Sequence, residues 1–418
     1  MRNSFFKRMA ILAGAGVAMV ACTDDTQTFE NNFELQNSNP LDAEVVTFNQ
    51  GSYEIEGSYI VVFNRKVTGD VGAKFGKDYR AAKNAVRELA TEVLGSHQMK
   101  GDFITHVYSK ILTGVSASLT AEQASELTTD ARVAYVEKDQ MFTLAPPPGK
   151  GPGGGGGGGG TDPQDVPWGI SRVNGGVTYT GPGVAWIIDS GIDAGHDDLN
   201  VDVSRGFNAF TKGPDSDLSS DGNGHGTHVA GTVAAIDNSI GVIGVAAGAT
   251  VIPVKVLDRR GSGSYSGVIA GIDHVAANGS NNDVANMSLG GGFSQAINDA
   301  VEAAAGTGVK FALAAGNEST NAATKSPASA NGQNIYTISA MSQGDNWASF
   351  SNFGNPPVDY CEPGVAIKST WKGGGYNTIS GTSMASPHAC GILLLGNIAT
   401  SGSVSGDPDG NADPIGVN

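Results

Sequence analysis

A chain of 418 residues, 39% hydrophobic and only 16% charged, can hold two or three domains and a large core. Its 41 acidic and 25 basic side chains leave a formal charge of −16. A phosphate backbone would repel that charge, so nucleic acid is excluded as a partner.

The N-terminus reads as an address. Arg2, Lys7 and Arg8 precede an apolar run, Met9 to Val20, too short for a good membrane span. Met19-Val20-Ala21-Cys22 resembles a bacterial lipobox with Met in place of the usual Leu, which implies processing and lipidation at Cys22. An ordinary signal peptide cut near Ala21 is the alternative. Residues 1–22 are thus a leader, and residues 23–56, rich in Asn, Thr and Asp, a polar tether.

Residues 57–144 carry the pattern of a small α+β domain. Order is expected from Ser58, with Tyr59-Ile60-Val61-Val62-Phe63 as a strand and Tyr79 to Leu94 as a helix. Two strands around Thr113-Gly114, a helix at Ala121–Leu127 and a strand from Val133 follow. The order β-α-β-β-α-β is that of a ferredoxin-like sandwich. Pro146-Pro147-Pro148 and the tract Gly153 to Gly160 make residues 145–164 a linker. A flexible chain of about 20 residues spans about 25 Å.

From residue 165 to 418 strands and helices alternate. Gly183–Ile188, Val251–Val256, Val284–Met287, Val309–Ala314 and Ile335–Ser339 predict buried strands. His225–Ala235, Ser266–Ala277, Gln295–Ala305 and Ser383–Ile398 predict helices. The fold class is α/β, a doubly wound parallel sheet, in which chemistry gathers beyond the carboxyl ends of the strands.

Three stretches stand at such ends. Asp189 follows the first buried strand in Ile188-Asp189-Ser190-Gly191, where a plain turn Asp is the other reading. His225 lies between two glycines in Asp221-Gly222-Asn223-Gly224-His225-Gly226-Thr227-His228. In the first turn of a helix the dipole disfavours its cation, leaving the neutral ring that a general base needs. His228, three residues on, makes a metal pair the rival reading, but no third ligand of suitable spacing follows. Ser383 comes in Ser380-Gly381-Thr382-Ser383-Met384, either as a helix cap or as a nucleophile. A hydroxyl attacks when a base takes its proton and a carboxylate steadies the resulting imidazolium. The chain order Asp–His–Ser is that known from subtilisin, and the G-x-S-x-G elbow of a lipase is not at Ser383.

DSGID at Asp189, HDDL at 196–199, DGNGHGTHVAGT at His225, GSGSYSGVIAGID at 261–273, NMSLGG at 286–291, AAGN at 314–317 and SGTSMASPH at Ser383 together resemble the subtilisin-like serine proteases, in their proteinase K-like branch. The resemblance spans residues 168–391. It implies that Ser383 is the nucleophile, His225 the general base and acid, and Asp189 the orienting carboxylate. Asn317, otherwise a turn residue, would form the oxyanion hole with the backbone N–H of Ser383.

Substrate would add as a strand between Gly261-Ser262-Gly263 and Ser288-Leu289-Gly290. Ala314, Ala315 and Gly316 would line an apolar S1 pocket with no acid in that stretch to select Arg or Lys. Broad cleavage after apolar or aromatic residues follows. A non-catalytic binding module would need a damaged site, and all four residues are intact.

GSYIVVF, Gly114-Val115-Ser116-Ala117 and Val133 to Asp139 resemble the I9-type propeptide, which acts as chaperone and inhibitor. A cut near Leu144 would place an apolar side chain in S1. The expected product is an exported, monomeric serine endopeptidase with protein substrates, its own propeptide as inhibitor, and no organic cofactor. With Cys22 lipidated, the anchor stays on the propeptide side, so the cut frees the catalytic domain.

Structural calcium is implied at the Asp359 carboxylate with the backbone carbonyls of Gln333 and Ile335; a surface loop Asp is the other reading. The chain also departs from the family. Its short stretch after Ser383 puts the final helix and strand in doubt, and a second calcium site is not carried over. No disulfide is assigned to Cys361 and Cys390, and Cys390, in an apolar run, reads as a buried thiol.

Overall fold

The computed structural model describes residues 44–45, 53–99, 103–144 and 163–418. The leader, Cys22, most of the tether and nearly all of the linker lie outside the described residues.

The N-terminal domain runs β1 (Tyr53–Phe63), α1 (Tyr79–Ser96), β2 (Ile104–Tyr108), β3 (Gly114–Ser118), α2 (Ala121–Leu127) and β4 (Val133–Thr143). Its sheet is antiparallel, in the order β4-β1-β3-β2. β1 starts at Tyr53, ahead of the expected Ser58, because β4 is also long and pairs Tyr53 with Met141 and Glu54 with Gln140. Asp78 caps α1 by accepting from the Ala81 N–H at 2.9 Å. Ala82, Val86, Ala90 and Val93 then bury one face of that helix at helical spacing. A capping box between Thr120 and Gln123 starts α2.

The unbroken apolar run in β1 has a specific cause. Successive strand residues face opposite sides. Tyr59, Val61 and Phe63 pack on α1 in the domain's own core. Ile60 and Val62 turn the other way, into the core of the second domain.

The second domain contains α3 (Trp168–Arg172), β5 (Ala185–Asp189), α4 (His225–Ala234), β6 (Thr250–Lys255), β7 (Ser262–Ser264), α5 (Tyr265–Asn278), β8 (Val284–Met287) and α6 (Gln295–Ala305). It continues through β9 (Lys310–Ala314), β10 (Ile335–Ser342), β11 (Val358–Pro363), β12 (Ile367–Trp371), β13 (Gly375–Ser380), α7 (Thr382–Leu395), β14 (Ala399–Ser403) and β15 (Pro414–Val417). The main sheet runs β14-β15-β11-β10-β9-β8-β5-β6, parallel except at the β14–β15 hairpin. Both faces are covered. Trp186 and Ile188 of β5 join the core with α5 and α6, while Ala185 and Ile187 join the core with α4 and α7.

The chain leaves β5 for β6 on one side and later returns to β8 on the other. That reversal opens a crevice at the carboxyl ends of β5 and β8. The short C-terminus does not end at the helix: it adds the β14–β15 hairpin to the sheet beside β11. Cys361 and Cys390 are both buried free thiols, and burial pushes the Cys390 thiol up. No helix among the described residues is long and apolar enough to cross a membrane.

Candidate active site

Asp189 is the last residue of β5 and is fully buried. Both its oxygens lie 2.9 Å from Nδ1 of His225, and one also accepts from the Ser190 N–H at 2.7 Å. His225 is the first residue of α4. The glycines around it are required by sterics. Gly224 has φ 107°, and a Cβ there would strike the Trp371 ring. A Cβ on Gly226 would strike the Gly191 carbonyl, so the helix could not approach the Asp189 loop. With Nδ1 held by the carboxylate, Nε2 has no hydrogen-bond partner among the described residues.

His228 points elsewhere, its Nε2 to the Ile367 carbonyl at 2.9 Å, and burial pushes it down to about 3. The two histidines therefore do not converge as a metal pair, and no cluster of three His, Cys, Asp or Glu ligands occurs among the described residues.

The register of β5 and β8 pairs Ile187 with Asn286. Asp189 and Ser288 each lie two residues beyond that pair, where the chains leave the sheet at the carboxyl ends of β5 and β8. Ser288 is the link to Ser383. The Ser383 hydroxyl donates to the Ser288 carbonyl at 3.0 Å, and the Ser288 hydroxyl donates to the Ser383 carbonyl at 2.7 Å. That carbonyl needs an outside donor because Pro387, four residues on in α7, has no N–H to give. So Ser383 sits at the first turn of α7, whose leading N–H groups lack helical partners. Helices α4 and α7 pack through Val229, Ala230 and Val233 against Met384, Ala385 and Ala389.

Asn317 follows β9 and is buried. Its Oδ1 accepts from the Thr382 N–H and hydroxyl, both at 2.8 Å. This fixes the amide with its NH2 group directed away from Thr382. Such a group, next to the start of α7, can stabilise a developing oxyanion.

The tail of the N-terminal domain enters this crevice. β4 pairs antiparallel with β7, setting Thr143 against Ser262, Phe142 against Gly263 and Met141 against Ser264. The Leu144 N–H then donates to the Gly261 carbonyl at 2.9 Å. No hydrogen bond joins Met141–Leu144 to Ser288, Leu289 or Gly290 among the described residues, although Phe142, Leu144 and Leu289 share one apolar cluster.

Gly290, Gly291, Ala314, Ala315 and Gly316 line a recess together with Glu318 and Lys325, which the sequence reading passed over. Glu318 is matched by Lys325 at 3.7 Å and takes a hydrogen bond from Asn352. Leu144 rests against Gly261 rather than in this recess.

Reciprocal carboxylates lock the two domains. Glu137 accepts from the Ser294 hydroxyl and the Ala296 N–H at the start of α6. Asp139 accepts from the Ser266 N–H and hydroxyl at the start of α5. In return the buried Asp273 of α5 accepts from the backbone N–H groups of Ser109, Lys110 and Ile111 and from the Tyr79 hydroxyl. Helix N-termini favour anions, so the N-terminal domain adds a carboxylate to the first turn of two helices that Ser264 and Ser294 already cap.

Asp359 lies in β11, where Thr337 N–H is its one hydrogen-bond donor among the described residues, at 2.8 Å. Burial pushes its carboxyl up to about 6, and no side-chain cation pairs with it among the described residues. A buried carboxylate short of counter-charge, bound at Thr337 two residues beyond Ile335, is the kind of hard oxygen donor that calcium takes.

Comparison with known proteins places these features. A family described as the subtilase family matches residues 181–397, and the peptidase inhibitor I9 family matches residues 58–145. The chain is 40% identical to alkaline serine exoprotease A of Vibrio alginolyticus over 70% of its length, spanning 53% of that protein. It is 38% identical to the subtilisin-like serine protease AsES of Sarocladium strictum, covering 75% of this chain and 82% of the relative. A solved cold-adapted subtilisin-like serine proteinase superposes with a TM-score of 0.52 at 37% identity, over 59% of this chain and 96% of the other.

Proposed function

We infer the function from the premise that this chain belongs to the subtilase family of serine proteases and carries an I9 propeptide domain ahead of its peptidase domain. It is a serine endopeptidase, made as a zymogen. The hydroxyl of Ser383 turns from the Ser288 carbonyl to Nε2 of His225, which takes its proton as the oxygen attacks the scissile carbonyl. Asp189 holds the imidazole with Nδ1–H toward itself and stabilises the imidazolium. Asn317 and the backbone N–H of Ser383 stabilise the oxyanion. His225 returns the proton to the leaving amine, and water then clears the acyl-enzyme through the same base.

The observation that carries this reading is the buried Asp189–His225 pair, with Nε2 lacking a partner, in the crevice where the β4 tail pairs to β7. That tail marks the path of a bound substrate, whose backbone adds a strand to Gly261-Ser262-Gly263. Ser288, Leu289 and Gly290 line the other side. The recess at Ala314, Ala315 and Gly316 takes apolar or aromatic P1 side chains, since Lys325 neutralises Glu318.

The precursor cuts itself beyond Leu144, because Leu144 sits on Gly261 rather than in the recess. The enzyme is exported and acts as a monomer. Cys22 tethers the precursor until the cut releases residues beyond the linker. Calcium, held by Asp359 and the carbonyls of Gln333 and Ile335, would tie β10 to β11 and supply structural stability alone. Ser383→Ala should leave an uncut full-length chain with an unchanged fold. A normally processed Ser383→Ala protein would show that another protease makes the cut.

A further inference from the structure

Asp221 is almost fully buried and accepts five hydrogen bonds, more than an ordinary turn carboxylate needs. Its Oδ1 takes the Ser190 hydroxyl at 2.9 Å and the N–H groups of Asn223 and Gly224 at 3.0 and 2.8 Å. Its Oδ2 takes the Thr227 N–H at 2.9 Å and hydroxyl at 2.7 Å. Ser190 in turn accepts from the Gly226 N–H at 3.0 Å.

Thus one carboxylate and one hydroxyl join the residue after Asp189 to the helix turn that begins with His225. Beneath them the fully buried Lys255, in register with Asp189 on β6, donates to the Ser190 carbonyl at 2.6 Å and the Ser220 carbonyl at 3.2 Å. It grips both segments, at Ser190 itself and at the residue before Asp221.

We propose that Asp221, acting through Ser190, is a positioning residue for the Asp189–His225 pair, and that Lys255 clamps the two loops that carry it. The inference rests on the serine-protease reading of the site. Charge-assisted hydrogen bonds are the strong ones, and a buried acceptor with five donors leaves those donors unpaired when it is lost. The imidazole could then tilt against its carboxylate without any loss of substrate contacts.

The test uses purified, matured enzyme with a peptide substrate. Ser190→Ala removes the bridge and leaves every charge in place, and Asp221→Asn removes two acceptor positions. The exposed neighbour Asp217→Asn is the control. We expect kcat to fall about tenfold in Ser190→Ala and about 10²-fold or more in Asp221→Asn, with KM within twofold. We also expect the downfield proton resonance of the His225 Nδ1–H to broaden or shift in both, and Asp217→Asn to match the parent.

Ser190→Ala with parental kcat and an unmoved resonance would overturn the proposal, as would a loss carried by KM. If Asp221→Asn does not fold, Ser190→Ala decides alone. A parent enzyme that turns over no peptide would instead sink the protease reading, which keeps the two failures distinct.

Discussion

The imidazole of His225 and the hydroxyl of Ser383 are held in opposite ways. His225 is bonded on the side away from the reaction, to both oxygens of Asp189, and its reacting nitrogen has no partner among the described residues. Ser383 has its reacting group engaged with the Ser288 carbonyl. The base is thus set before substrate arrives, while the nucleophile must exchange one hydrogen bond for another. The two halves also differ in origin. Asp189 and His225 meet through strand-end and helix-start sequences that pack glycine against backbone. Ser383 depends on Ser288, nearly a hundred residues earlier in the chain.

That contrast can be broken at several points. Ser383→Ala should reduce peptide turnover by about 10⁶, a magnitude established for subtilisin rather than deduced from this geometry. Asp189→Asn should cost about 10⁴, the scale known for the Asp in the equivalent role of the unrelated chymotrypsin-type enzymes, because the base is left in the wrong tautomer. Equal losses in the melting temperature of either variant would instead mark them as structural. Asn317→Ala should lower kcat by about 10²–10³ with KM little changed, again the subtilisin magnitude, read in steady-state kinetics.

Ser288→Ala sharpens the comparison, because it keeps the carbonyl that engages Ser383 and removes the donor to the carbonyl that Pro387 frees. In the Ser383→Ala background it should destabilise the fold by about 1–3 kcal/mol in denaturant unfolding.

Smaller effects are expected at the edges of the cleft. Lys325→Ala leaves Glu318 unmatched and should raise cleavage after Lys relative to Phe roughly fivefold, about 1 kcal/mol, across a fluorogenic panel. The Asp359 carboxyl is raised by burial, so without calcium the stability it allows is full below about pH 4 and is lost as pH rises through about 6. Added calcium should therefore raise the melting temperature above pH 6 and not at pH 4, and EDTA should remove the gain.

Much of this was legible in the residues. Asp189 and His225 announce themselves through buried-strand and glycine patterns, and β1 shows its double burial in five consecutive apolar or aromatic residues. What stayed hidden depends on contacts distant in sequence. Nothing local marks Ser288 as the partner of Ser383, or Pro387 as the reason for it. Glu318 and Lys325 become a neutral pair only when β9 and the loop before β10 are folded together. The β14–β15 hairpin escaped because β14 is polar and exposed, and β15 has only four residues, with Ile415 and Val417 as its apolar period. The β1 extension at Tyr53 was masked by the polar tether before it.

The most direct test is covalent. Matured enzyme treated with a fluorophosphonate and mapped by peptide mass spectrometry should carry one adduct, on Ser383, and a His225→Ala variant should carry almost none in the same time. An adduct on a different serine, or peptide hydrolysis that survives full modification of Ser383, would contradict the account.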